Sequence, residues 1–192
     1  MLLKRNSTKL VDKPNSPVKL YAFTDIVEQN LEYTLNLIST LDDPSVKYKK
    51  EDPSLKLAKL KADIKNDILN YPAEEIVKII TFTTIMENVY NSTNEIKDYI
   101  KEAVQYPPVG FDLSEIAIKI SGIAKKAIDG FFSGNINTDL EPSITETERL
   151  IKAALNRLHK LNGNEKREMG RTIYYAGIAA GLSEIIRDLT VY

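Results

Sequence analysis

A chain of 192 residues, 43% apolar and 28% charged, has the length and composition to bury one large core or two small ones. Its 26 basic residues balance 27 acidic ones, a formal charge of -1, so no overall field draws it to nucleic acid or to acidic lipid. The absence of cysteine excludes disulfides, thiolate catalysis and thiolate metal sites and fits a cytoplasmic location, and the single histidine, His159, leaves little from which to build a zinc site or a Ser-His-Asp triad.

Residues 1–20 are basic, lack the apolar stretch of a signal peptide and contain KPNSP, which reads as an extended arm. Apolar residues then recur at three and four through the chain, which predicts helices throughout. The first runs from about Ala22 to Leu41 on a stripe of Phe23, Val27, Leu31, Leu35 and Ile38, and stops at DDPS, where proline opposes continuation. After a charged loop the second spans about Leu55 to Leu69. Pro72 opens the third, which has Glu74 and Glu75 at its positive end and reaches about Val104 before YPPVG. Capping-box spacing in DLSE (Asp112, Glu115) and SITE (Ser143, Glu146) marks the starts of the fourth and fifth helices. Ile116, Ile120, Ile123, Ala127 and Phe131 stripe the fourth, which Gly130 and Gly134 loosen; Leu150, Ala154, Leu155, Leu158 and Leu161 stripe the fifth. LNGN supplies a glycine stop, with His159 beside it at the exposed helix end, and the sixth helix follows from about Glu165 to Leu189.

The pattern is all-α. A break at residues 106–112 divides it into residues 21–106 and 111–192, each reading medium, short, long, and hence into two tandem three-helix bundles. In the sixth helix TIYYAGIAAGLS is too short to cross a membrane, and its Gly177 and Gly181 form the G-x-x-x-G spacing that lets a neighbouring helix approach closely. Tyr174 and Tyr175 beside it read as packing residues, with a second copy of the chain as a candidate partner for the same apolar helix.

At this point the chain resembles the PhoU superfamily, in particular its divergent PhoU-like phosphate-transport accessory proteins, over most of residues 20–192. The resemblance implies a three-helix bundle in each half and acidic motifs that bind a divalent or iron-type metal ion. ENVYN places Glu87 and Asn91 at the two acid positions of the long helix, with an amide in place of the second carboxylate; KADIKNDIL places Asp63 on the preceding helix; TERLIKAALNRL places Glu148 on the fifth. On the sixth helix two registers stand: one puts the acid positions on Ile173 and Gly177, so that the motif is lost, and the other takes Glu184 and Asp188 from SEIIRD.

Read without the resemblance, Glu87, Asn91, Glu95 and Asp98 fall within roughly an 80° sector of one helix, opposite Phe82, Ile85, Val89, Ile96 and Ile100. Such a stripe is either a ligand ladder or the wet face of an amphipathic helix. No glycine-rich phosphate loop follows a strand, and no catalytic constellation is recognisable, so a non-enzymatic protein is expected. The resemblance implies a regulator or accessory of phosphate transport that docks on the transporter or its signalling partner and meets the membrane only through that partner. The alternative is a helical interaction module of the same fold whose metal sites and phosphate role have decayed.

Overall fold

The structure, a computed structural model, describes residues 18–41, 53–104, 113–134, 140–160 and 166–190. They form six α-helices: α1 (Val18–Ser39), α2 (Ser54–Asp67), α3 (Ala73–Ala103), α4 (Ser114–Ser133), α5 (Leu140–Lys160) and α6 (Lys166–Thr190), with a 3-10 turn, Ile68–Asn70, closing α2. The all-α class expected from the periodicity is what the chain adopts. The apolar stripe of α1 is buried throughout, and so are Phe82, Ile85, Val89, Ile96 and Ile100 of α3.

Several boundaries follow from local chemistry. The Pro72 carbonyl accepts the backbone N–H of Glu75 (2.9 Å) and of Ile76 (3.0 Å), so the residue that cannot donate begins α3 without loss. Gly134 ends α4 at φ 69°, a left-handed conformation that glycine adopts without a Cβ penalty. Buried threonines on α1, α3 and α5 satisfy their hydroxyls internally: Thr24 donates to the Leu20 carbonyl (2.9 Å), Thr34 to Asn30 (2.9 Å), Thr83 to Ile79 (2.7 Å) and Thr147 to Ser143 (2.6 Å).

Three expectations change. The arm of residues 1–20 gives up its last three to α1, because Leu20 is a core residue; residues 1–17 lie outside the described residues. The capping box at Ser143 is not used: α5 already begins at Leu140, Pro142 is tolerated in its first turn, and Glu146 pairs with Arg149 instead (2.7 Å). With α5 at 21 residues and α4 at 20, the second half is not medium, short, long, whereas the first half is, at 22, 14 and 31. At α4 the preceding residue is Leu113, with no side-chain cap; Asp112 of the other capping box lies outside the described residues, as does the LNGN stop.

Packing does not divide along the expected boundary between halves. α1 lies against α3, α3 against α6, α6 against α4 and α4 against α1, a closed ring of four helices around one continuous apolar core. α5 flanks this ring against α4 and α6, and α2 flanks it against α1. The most extensive joint is α3 with α6, across the halves. There Gly177 faces the Tyr99 ring and Gly181 faces Ile96, so the two helices run antiparallel with the glycine face of α6 on α3. A Cβ on Gly181 would stand 2.5 Å from Ile96 Cγ1, and one on Gly177 2.6 Å from the Tyr99 ring. The G-x-x-x-G spacing is therefore a close-packing device. Tyr175, Ile178, Ala179, Leu182, Ile185, Ile186 and Leu189 of α6 are all buried within the chain, which accounts for the apolar character that suggested a second copy.

Candidate functional site: the groove between α2 and α3

Because α2 packs chiefly on α1, it leaves a groove against α3 of about 440 Å³. Residues of α2 at spacings of three and four, among them Leu57, Lys61 and Lys65, supply one wall. Glu87 and Asn91, four apart on α3, supply the other with Tyr90, and Phe23 of α1 completes the lining. The groove is crossed by an ion pair in which Lys61 Nζ donates to Glu87 Oε2. Both groups are about one-third exposed, a geometry in which such a pair contributes on the order of 0–1 kcal/mol.

Two of the four residues implied as metal ligands, Glu87 and Asn91, thus share this groove. The other two do not join them. Asp63 is two residues from Lys61, roughly 200° around α2, and acts on Lys19 of α1, whose ammonium is paired with Asp67 (2.8 Å). That pairing with Asp67, opposed by desolvation and assisted by the nearby Asp63 carboxylate, raises the Lys19 pKa. Glu148 stands exposed on α5. Among the described residues no group of three or more acidic or histidine side chains could hold a metal ion. The residues do not fit a metal centre: an ammonium already sits on Glu87, and Asn91 brings no charge to offset another cation.

On α6, Ile173 is exposed and Gly177 packs on Tyr99, so the first register offers no ligand there. In the second, burial pushes the Asp188 carboxyl above its ordinary value, while the Arg187 guanidinium opposes this and the Glu184 carboxylate adds to it. The remaining acids of the α3 stripe, Glu95 and Asp98, are exposed, and Asp98 pairs with Lys101 on its own helix. These two acids lie on a solvated face, whereas Glu87 and Asn91 line the groove. His159 is exposed in the last turn of α5.

Sequence reasoning missed the polar contact between α1 and α3. Buried Asn30 donates from Nδ2 to Asn94 Oδ1 (3.4 Å), Lys97 Nζ donates to Asn30 Oδ1 and to Asn94 Oδ1 (3.1 Å), and the same ammonium lies 5.9 Å from the Tyr33 ring centre. Asn30 interrupts no apolar repeat of α1, and nothing local marks it as buried. Tyr90 was also unmarked: it is 5% exposed, and its hydroxyl has no hydrogen-bond partner among the described residues.

Neither a family model, nor a curated protein, nor a solved structure matches the chain. No helix among the described residues is long and apolar enough to cross a membrane.

Proposed function

We propose that this chain is a non-enzymatic, cytoplasmic accessory or regulator of phosphate transport that works by contact with the transporter or its signalling partner. Phosphate enters from the resemblance of the helix order and of the Glu87 and Asn91 positions to the PhoU superfamily. The contact is supported by a separate observation at one end of the bundle. Leu69 in the 3-10 turn, and Val77 and Ile80 three apart on the first turns of α3, are 81%, 64% and 52% exposed. They stand at the end where Lys19 meets Asp67 and where the Phe82 and Phe131 rings stack at 3.7 Å. Apolar side chains left in water at one end of a packed bundle are what a docking face offers.

In a pull-down under phosphate limitation, the wild-type chain is expected to retain a transporter component or its signalling partner. The Val77→Lys, Ile80→Lys double variant should lose it with helical content unchanged. Unaltered phosphate uptake and phosphate-responsive expression after deletion of the gene would remove the phosphate role.

A second reading, a helical interaction module without metal or phosphate, is favoured by the Lys61 ammonium on Glu87 and the amide at position 91. Both readings dispense with metal at this groove. Purified protein is accordingly expected to carry no stoichiometric magnesium, calcium, manganese or iron, and a chelator should leave its melting temperature unchanged. Bound metal lost in Glu87→Ala and Asp63→Ala would reinstate the metal centre that the resemblance implies.

A further inference from the structure

The groove between α2 and α3 holds more than an ion pair. Lys65 has no ion-pair partner among the described residues, and the Asn91 side chain makes no hydrogen bond there. Phe23, Leu57, Ala58 and Ala62 give the walls an apolar character, and the volume of about 440 Å³ lies in the range of small-molecule sites. Tyr90 also lines the groove, and among the described residues its hydroxyl is buried without a partner, an unmet donor that a bound acceptor would satisfy. The α2 wall can yield to admit one, since only Leu57 and Ile64 of its fourteen residues are buried.

We propose that this groove binds a small monocarboxylate with an apolar tail. Two lysines face one carboxylate, so once Lys61 has neutralised Glu87 a single positive charge remains on Lys65. That balance suits a monoanion. A dianion is opposed by Glu87, and a metal ion is repelled by both ammonium groups. The apolar residues among the walls, Phe23, Leu57, Ala58 and Ala62, accept a hydrocarbon tail. Lys65, Asn91 and the Tyr90 hydroxyl are the donors available to the carboxylate once α2 gives way. This site is independent of the docking face and of the phosphate reading.

The test is calorimetric titration of the full chain with octanoate, with octylamine and inorganic phosphate as controls. One octanoate is expected to bind per chain, and Lys65→Gln to weaken it about tenfold by removing the uncompensated charge. Tyr90→Phe should weaken octanoate yet raise the melting temperature of the free chain, opposite signs that a purely structural tyrosine does not produce. Ala62→Leu, which fills the groove, should abolish binding with helical content retained. The proposal is overturned if the wild-type chain takes up no octanoate at millimolar concentration. It is equally overturned if octylamine or inorganic phosphate binds as tightly, or if Lys65→Gln binds octanoate unchanged.

Discussion

Gly177 and Gly181 are the same residue type, four apart on one face, yet they differ in what surrounds them. A Cβ at Gly181 meets Cγ1 of Ile96, an atom near the backbone of a side chain with no exposure, so α3 and α6 must move apart. A Cβ at Gly177 meets the Tyr99 ring, which is 38% exposed and can swing outward. Alanine also brings about 1 kcal/mol of helix propensity at either position. We therefore expect Gly181→Ala to cost about 1–3 kcal/mol in urea denaturation, and Gly177→Ala to be nearly neutral. Equal losses at the two sites would mean that Tyr99 is held as firmly as Ile96. The spacing of the glycines could be read from the sequence; the inequality could not, because it depends on which residues of α3 face them.

Among the elements, α2 is the least secured. Its buried side chains are Leu57 and Ile64, with Ile68 in the turn beyond, while α1 buries twelve residues and α3 also twelve. Two ion pairs hold it at the surface, Lys19 with Asp67 toward α1 and Lys61 with Glu87 toward α3. Removing one by Lys61→Met should change global stability by less than about 1 kcal/mol, but should speed amide exchange in α2 ahead of α1 and α3. Uniform acceleration across all three would show that α2 opens only with the whole fold. The position of α2 was legible to within a few residues, since Pro72 and the apolar spacing bound it. Its neighbours were not: the resemblance set Asp63 beside Glu87, whereas the rotation of α2 turns Asp63 away and presents Lys61.

For the molecule as a whole, the ring of α1, α3, α6 and α4 ties the two halves into one core. Neither half buries its α3 or α6 face alone. A single cooperative unfolding transition is expected, with circular dichroism and tyrosine fluorescence coinciding; two separated transitions would restore the picture of independent bundles.

What the sequence by itself determined is the all-α class, the six helices, most of their ends and the buried stripes. These are set by residues within a few turns of one another, through periodicity, proline, glycine and terminal charge. Only the tertiary structure decided that the tightest joint crosses the halves, that Lys61 rather than Asp63 meets Glu87, and that Tyr90 is buried with its hydroxyl unpaired among the described residues. Those outcomes depend on the rotation of one helix about its axis relative to another, a quantity fixed by the packing of the whole core and carried by no single stretch of chain.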